Sequence, residues 1–283
     1  MKFRNGKDRI MTSFIKTAAV TLALLVFNAS MVIAQGNVVI TGSTTVLPIA
    51  QVTLEAYIKA NPGVNISLSG TGSGDGIKAL IDKTTDIANS SRNIKESETA
   101  NARKSGVNPR EFIVAIDAII PIIHPTNPIT NLTIDQLSQI YQGNIRNWKE
   151  VGGEDRAIVV VSRDSSSGTY ESWSELVLKK QRVFPRAQLQ ASSGAVVQTV
   201  TTNPYAIAYV GLGYLNPSVK PLKVNGVEPS VETAMTGKYP IARPLYMYTD
   251  GEPSGETAKY LQFILSPEGQ KLVENSGFVP VGK

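Results

Sequence analysis

Four short runs of small polar residues lie between a strand pattern and a helix pattern, and their residue types suit the binding of an anion. The first turn of a helix has unpaired N–H groups and a partial positive charge. Glycine lets the backbone approach a ligand closely, and hydroxyl groups add donors that rotate to fit. Because ligands of open α/β sheets bind at the carboxyl ends of the strands, these runs together predict a site for a small anion. The runs are Gly42-Ser43-Thr44-Thr45, Gly70-Thr71-Gly72-Ser73-Gly74, Asn89-Ser90-Ser91-Arg92 and Arg163-Asp164-Ser165-Ser166-Ser167-Gly168-Thr169.

Each run taken alone is also typical of plain helix capping, since Ser and Thr are preferred N-cap residues in any protein. An arginine in two of the four runs favours a binding site. Arg163 can place two parallel hydrogen bonds on a tetrahedral oxyanion, and its alternative is a surface ion pair with Asp164. For Arg92 the alternative is a role in capping or orienting its own loop.

The elements that must position these runs alternate between strand and helix along the chain. This alternation predicts an α/β fold with mainly parallel sheets flanked by helices. The apolar run Phe112–Ile123 is too long for one ordinary strand. The predicted helices are Val46–Ala60, Gly76–Asp82, Glu96–Lys104, Ile134–Tyr141, Tyr170–Lys180, Gly194–Thr201 and a final helical region Glu256–Asn275 with a break at Ser266-Pro267.

No linker divides the chain, although its length favours two domains. We therefore expect two lobes that share crossing strands, with Phe112–Ile123 and Tyr239–Tyr248 as the candidate crossings. The expected first lobe comprises residues 36–116 plus 245–283, and the expected second lobe comprises residues 117–244.

Residues 1–34 have the order of a secretory signal peptide. Five basic residues precede the apolar run Thr17–Phe27, and Val32-Ile33-Ala34 suits cleavage before Gln35. The alternative is an uncut signal anchor, but polar residues near the end of the run weaken a membrane-spanning segment. No cysteine follows the run, so we expect no lipid anchor and a mature protein in the periplasm.

The composition excludes several classes of function. The 283 residues contain no cysteine and one histidine, His124, which excludes thiol chemistry and multi-histidine metal sites. We expect no metal and no cofactor. The net charge of +5 belongs to residues 1–34, which hold five of the 28 basic and one of the 23 acidic residues, so the remainder carries +1. Binding to nucleic acid is therefore not expected.

The same polar runs carry a resemblance to a known family. The chain is similar, over essentially the whole region after the signal peptide, to the phosphate-binding proteins of bacterial phosphate ABC transporters. This resemblance implies a two-lobed periplasmic-binding-protein fold of type II, with two crossing hinge strands, that closes on one phosphate. It also implies a receptor, expected to be a monomer, that delivers phosphate to the membrane permease subunits of the transporter. The segments that carry it are residues 42–48, 70–74, 86–92, 162–169, 194–198 and 267–270.

The resemblance implies phosphate contacts on both lobes. One place departs from the family pattern: some relatives have an aspartate after the Asp-Ile strand that accepts the proton of hydrogen phosphate, and Ser91 and its neighbours stand there instead. Asp75 and Asp164 are the nearest other acceptors in the sequence. The implied contacts are Ser43, Thr44, Thr45, Ser73, Ser91, Arg92, Arg163, Ser167, Gly168 and Thr169.

Two other functions remain as alternatives to a phosphate receptor. The first is a receptor for sulfate, molybdate or tungstate, because a fully deprotonated oxyanion needs donors only, whereas phosphate near neutral pH also needs one acceptor. The second is a secreted hydrolase of phosphate esters. It is disfavoured because the sequence lacks a metal cluster, a Gly-x-Ser-x-Gly motif, and a serine or carboxylate placed beside His124. We therefore expect a binding protein and no enzyme.

Overall fold

A computed structural model describes residues 37–282, and the predicted signal peptide lies outside the described residues. The strands are β1 (Val38–Gly42), β2 (Ile66–Gly70), β3 (Ile87–Ser90), β4 (Pro109–Ile123), β5 (Asn131–Leu132), β6 (Val159–Arg163), β7 (Gln188–Gln190), β8 (Ala206–Gly211), β9 (Lys220–Pro221), β10 (Lys223–Val224) and β11 (Ala242–Asp250). The α-helices are α1 (Leu47–Ala60), α2 (Ser73–Ile81), α3 (Glu96–Lys104), α4 (Ile134–Gln142), α5 (Gly168–Leu176), α6 (Ser193–Thr202), α7 (Val231–Met235), α8 (Gly255–Leu265) and α9 (Pro267–Asn275). Short 3-10 helices span Trp148–Val151 and Leu212–Tyr214.

The main sheet has the strand order β2-β1-β3-β11-β4-β8-β6-β7, with β9 paired to β4. Strands β1, β2 and β3 are parallel and form the first sheet region, while β8, β6 and β7 are parallel and form the second. Strands β11 and β4 lie between the two regions and are antiparallel to their neighbours. The mainly parallel α/β architecture and the two crossing strands agree with the prediction from the sequence.

Strand β4 explains the long apolar run of the sequence. It is one strand of 15 residues that changes its partner along its length. Residues Pro109–Ala118 pair with β11, and residues Ile119–Ile123 pair with β8. The second part is apolar at consecutive positions because both of its faces are buried, as is typical of a covered strand.

Two large hydrophobic clusters lie on either side of this crossing. One packs α1, α8 and α9 against β1 and includes Val114 and Leu245 of the crossing strands. The other packs α4, α5 and α6 against β6 and β8, and its centre is a group of aromatic rings in which Trp173 stacks on Tyr209 at 4.4 Å. The two sheet regions therefore have separate cores, and β4 contributes residues to both.

Three predicted helix boundaries need correction or comment. Helix α2 begins at Ser73 instead of Gly76 because Gly72, with φ of 123°, already ends the extended chain. Helix α5 ends at Leu176 instead of Lys180 because Lys179 and Lys180 have φ of 50° and 64°, outside the helical region. The predicted break at residue 266 is present, since Ser266 caps α9 through the N–H of Gly269. Within residues 37–282, no helix has the length and apolarity needed to cross a bilayer.

Candidate functional site

The amino ends of four helices, α1, α2, α5 and α6, meet at the carboxyl ends of the parallel strands. Thr44 Oγ1, in the turn before α1, lies 3.3 Å from Ser193 Oγ at the start of α6. Thr45 Oγ1 in the same turn lies 2.7 Å from Thr169 Oγ1 in the first turn of α5. Because each helix start carries a partial positive charge and unpaired N–H groups, their convergence favours an anion.

The starts of α2 and α5 approach each other so closely that one position must be glycine. A Cβ atom on Gly168 would lie 2.3 Å from Ser73 Oγ and 2.7 Å from Ser91 Oγ, far inside van der Waals contact. Ser91 N donates to Ser73 Oγ at 3.0 Å, and both serines are buried. The backbone N–H groups of α5 can therefore reach the same point as the two serine hydroxyls.

Arg163, the last residue of β6, is the central cation of this cluster and is 2% exposed. Its guanidinium donates to two backbone carbonyls, Gln190 O at 2.8 Å and Ala191 O at 3.0 Å, and to Thr44 Oγ1 and Ser193 Oγ, each at 3.3 Å.

The nearest carboxylate to Arg163 is Asp164, at 3.8 Å, and within residues 37–282 no carboxylate accepts a hydrogen bond from Arg163. Burial lowers the pKa of Arg163. A buried cation without a bonded carboxylate is costly, and a bound anion would compensate it. The alternative of a surface ion pair with Asp164 does not fit its burial.

The hydroxyls around Arg163 have their oxygen atoms occupied as acceptors. Thr44 Oγ1 accepts from Arg163 and from Ser193 N at 3.3 Å. Ser43 Oγ accepts from Thr45 N at 3.1 Å and from Val46 N at 3.4 Å. Since a hydroxyl has two acceptor lone pairs and one hydrogen, these side chains are left with a hydrogen to donate. The cluster is therefore built to present donors.

Ser167 and Thr169 complete the second side of the cluster. Ser167 Oγ caps α5 by accepting from Tyr170 N at 3.2 Å, and its side chain is 2% exposed. Thr169 Oγ1 contacts Thr45 Oγ1 and accepts from Arg243 Nη2 at 2.9 Å. The structure therefore brings Ser43, Thr44, Thr45, Ser73, Ser91, Arg163, Ser167, Gly168 and Thr169 together around the four helix starts.

Arg92 differs from this group, although the resemblance included it among the contacts. Its guanidinium donates to both carboxylate oxygens of Glu98, at 2.8 Å and 2.7 Å, and its Nε lies 2.8 Å from Glu171 Oε2. Burial lowers the pKa of Arg92, but the Glu98 hydrogen bonds and the charge of Glu171 raise it above its ordinary value overall. Arg92 therefore joins two carboxylates, and it also donates to Asn93 O at 2.9 Å in its own loop. These contacts suit a role in orienting the loop, which stays a prediction.

The two acids considered as proton acceptors are Asp75 and Asp164. Asp75 is exposed on α2. Asp164 Oδ1 accepts from Ser166 N at 2.8 Å and from Ser166 Oγ at 2.6 Å. Across residues 37–282 no group of His, Asp and Glu side chains is arranged to hold a metal ion.

Sequence reasoning missed three residues of this region. Ser193 was missed although Ala191-Ser192-Ser193-Gly194 has the same small polar character as the four predicted runs and also precedes a helix. Arg243 and Asp117 were missed because they lie 126 positions apart inside two strand patterns. Only the pairing of β4 with β11 brings these two residues together.

Comparison of sequences relates the chain to binding proteins. A model of the PBP superfamily domain matches residues 33–268. The phosphate-binding protein PstS of Borreliella burgdorferi is 36% identical over 252 residues, which cover 85% of this chain and 88% of the relative. The phosphate-binding protein PstS of Pseudomonas aeruginosa is 32% identical over 269 residues, which cover 87% of this chain and 83% of the relative.

Solved structures of proteins of this kind are also similar to the chain. A substrate-binding protein of Clostridium perfringens with bound phosphate superimposes with a TM-score of 0.82 and 36% identity, covering 87% of this chain and all of the other. An ABC-type phosphate transport receptor from Vibrio cholerae superimposes with a TM-score of 0.70 and 32% identity, covering 86% of this chain and 99% of the other.

Proposed function

The chain belongs to the PBP superfamily and, within it, to the phosphate-binding proteins named PstS, and from this we propose that the four helix starts hold one phosphate ion. As a member of this family it is an extracytoplasmic receptor that captures phosphate and delivers it to an ABC transporter. The family is one of binding proteins and not of enzymes.

The proposed phosphate contacts are the residues that the structure groups around Arg163, with one addition and one removal. Ser193 is added because its hydroxyl and its N–H both lie within hydrogen-bond distance of Thr44. Arg92 is removed because Glu98 and Glu171 occupy its guanidinium. The proposed set is Ser43, Thr44, Thr45, Ser73, Ser91, Arg163, Ser167, Gly168, Thr169 and Ser193.

The observation that carries this proposal is the charge of Arg163. The guanidinium is buried among hydroxyls and carbonyls, and Asp164 at 3.8 Å is too distant for a hydrogen bond. A tetrahedral oxyanion would take the remaining donor capacity of the guanidinium and of the hydroxyls, and it would compensate the buried charge.

Binding of competing oxyanions tests the choice of phosphate. Thermal unfolding of the mature protein should be shifted upward by phosphate, with a stabilisation of about 2.7 kcal/mol at a hundredfold excess over Kd. Sulfate, molybdate and tungstate at the same concentration should shift it less. A larger shift with one of these anions would reject phosphate as the ligand, and turnover of a phosphate ester would reject a pure receptor.

We further propose that residues 36–116 plus 245–283 form one lobe and residues 117–244 the other, and that phosphate closes them. The separate hydrophobic clusters on either side of β4 and β11 support this partition, with Val279 and Ile116 as exceptions because they pack with the second cluster. Small-angle scattering should show a smaller radius of gyration with saturating phosphate. Unchanged dimensions would contradict the closure.

We propose that the protein is exported to the periplasm by a signal peptide cut before Gln35, that it carries no lipid anchor, and that it acts as a monomer without nucleic acid. The basic and apolar order of residues 1–34 supports export, and the net charge of +1 on the remainder supports the last point. N-terminal sequencing of the exported protein should begin at or near Gln35. Recovery of the intact chain in membranes would contradict cleavage.

A further inference from the structure

Arg243 and Asp117 form a buried ion pair between the two crossing strands. They face each other in the register of β11 and β4. Arg243 Nη2 lies 3.0 Å and Nε 3.3 Å from Asp117 Oδ2, and the two residues are 6% and 0% exposed. Asp117 Oδ1 also accepts from Leu212 N at 2.9 Å, directly after β8. The pair is therefore anchored where the two sheet regions join.

The other N–H groups of Arg243 donate to the loops of the proposed anion site. Nη1 donates to Ser91 O at 3.0 Å and to Gly168 O at 3.3 Å, and Nη2 donates to Thr169 Oγ1 at 2.9 Å. Ser91 follows a strand of the first sheet region, while Gly168 and Thr169 begin α5 in the second. One side chain thus fastens together loops from both regions.

The donors of Arg243 are fully used by the protein. A guanidinium has five N–H groups, and the structure supplies five acceptor contacts: two to Asp117 Oδ2 and one each to Ser91 O, Gly168 O and Thr169 Oγ1. In this respect Arg243 differs from Arg163. In this arrangement Arg243 has no N–H group left to donate to a ligand among the hydroxyls.

The bond from Arg243 to Thr169 limits the ways in which two hydroxyl groups can bond. Thr169 Oγ1 must accept from Arg243, because a guanidinium cannot accept. Thr169 and Thr45 share one hydrogen across their 2.7 Å contact, which leaves one of the two hydroxyl hydrogens to donate outside the pair. The guanidinium occupies one of the two lone pairs of Thr169 Oγ1. When Thr45 donates to the other, both lone pairs are filled and the Thr169 hydrogen is left for a ligand.

We propose that Arg243, held by Asp117, is a positioning residue that sets the Thr169–Thr45 hydroxyl pair to donate to the bound anion. This inference rests on the proposed function and deepens it, because it assigns a role in phosphate affinity to a residue that does not touch phosphate. The phosphate affinity would then depend on residues that contact the ion and also on Arg243 of β11, which orients two of those residues.

A double-mutant cycle on the full mature protein tests the inference. Titration calorimetry with inorganic phosphate compares the wild type with Arg243→Lys, Thr169→Val and the double variant. Arg243→Lys should weaken binding roughly tenfold in the wild type, since a point charge cannot make the same set of bonds. In the Thr169→Val background the same change should weaken binding by less than about threefold, because the two residues act as a coupled pair.

Thr169→Ser supplies the matched control, since it restores a hydroxyl at the same position. In that background the effect of Arg243→Lys should return to roughly tenfold. An equal effect of Arg243→Lys in the wild-type and Thr169→Val backgrounds would overturn the inference, because a merely structural loosening of the hinge does not depend on the Thr169 hydroxyl.

Unfolding curves without phosphate establish which variants fold. If Arg243→Lys does not fold, Asp117→Asn takes its place in the cycle, since it loosens the hold on Arg243 while keeping the guanidinium. Failure of the wild type to bind phosphate would reject the proposed function itself. Binding by the wild type with additive variants would reject only the positioning role.

Discussion

Arg92 and Arg163 are both buried at the carboxyl end of a parallel strand, and they have opposite surroundings. Arg92 is held by two carboxylates, Glu98 and Glu171, and its pKa is raised. Arg163 is held by carbonyls and hydroxyls, and burial lowers its pKa. Burial and chain position alone therefore do not distinguish a structural arginine from a binding arginine.

The difference lies in whether the protein itself supplies the opposite charge. A buried ion pair with its own carboxylates is complete, and a further anion would meet repulsion there. A buried guanidinium that is left with neutral acceptors remains available to an anionic ligand. Substitutions at the two arginines should distinguish these cases, and the first is Arg163, which donates no hydrogen bond to a carboxylate within the described residues.

Removal of Arg163 should have the largest effect on binding. Arg163→Ala should weaken phosphate binding by roughly tenfold to several hundredfold, because each hydrogen bond to a charged group contributes about 1.5–3 kcal/mol. Arg163→Lys should recover only part of the loss, since lysine cannot reproduce two parallel bonds. Titration calorimetry measures both. Wild-type affinity in a folded Arg163→Ala variant would remove the main support for the site.

Removal of Arg92 should have the opposite pattern of effects, with a loss of stability and little change in phosphate affinity. Arg92→Ala should lower the free energy of unfolding by about 2 kcal/mol, because it leaves Glu98 without its cation and Glu171 with Lys95 alone. Phosphate affinity should change by less than about threefold. Urea unfolding without phosphate and calorimetry with phosphate measure the two quantities. A hundredfold loss of affinity would place Arg92 back among the phosphate contacts.

Acid should weaken the Arg92 pair through Glu98. Burial raises the pKa of Glu98, but the hydrogen bonds from Arg92 and from Lys95 N lower it below its ordinary value overall. A depressed folded-state pKa means that the stabilisation is present above the unfolded-state value, about 4.3, and is lost as the pH falls through the folded-state value.

The free energy of unfolding of the wild type should therefore exceed that of Glu98→Gln by about 1 kcal/mol at pH 7. This difference should shrink as the pH falls below about 4. Urea unfolding of both proteins across this range provides the measurement. A difference that is constant with pH would show that Glu98 contributes through packing and not through its charge.

The smallest effect concerns the two serine caps. Ser167 and Ser192 cap α5 and α6 in the same way, each by accepting a backbone N–H three residues on. Replacement of either by alanine should lower the free energy of unfolding by about 1 kcal/mol. Only Ser167→Ala should also weaken phosphate binding, by a few-fold, since Ser192 is not a proposed contact. Equal affinities of the two variants would assign Ser167 to capping alone.

The sequence indicated the elements and the loops but not the partners of their charges. The alternation of strand and helix patterns predicted a helix that overlaps α5, and the polar runs followed from their composition. The different roles of Arg92 and Arg163 did not follow, because Glu171 approaches Arg92 only after α5 has packed beside the loop that follows β3. Charge compensation is a tertiary property, and local residue types do not record it.

The Asp117–Arg243 pair shows the same limit more strongly. Each residue lies within a strand pattern, where a charged side chain normally indicates an exposed position. Their burial depends on the pairing of two strands that are 126 positions apart. Ser193 could have been predicted more easily, since Ala191-Ser192-Ser193-Gly194 has the small polar character of the other four runs and also precedes a helix.

The position of β11 also determines the order in which the molecule can fold. Strand β3 pairs with β1 but lacks its second neighbour until Ala242–Asp250 is available. Thr53 of α1 contacts Tyr260, which lies 207 positions later. Contacts over such separations form slowly, whereas β6, β8 and the helices between them lie within one continuous stretch. Pulse-labelled hydrogen exchange during refolding should therefore protect β6 and β8 before β1. If the chain emerges from a membrane with its amino end first, the strands that emerge first would be the last to gain all of their partners.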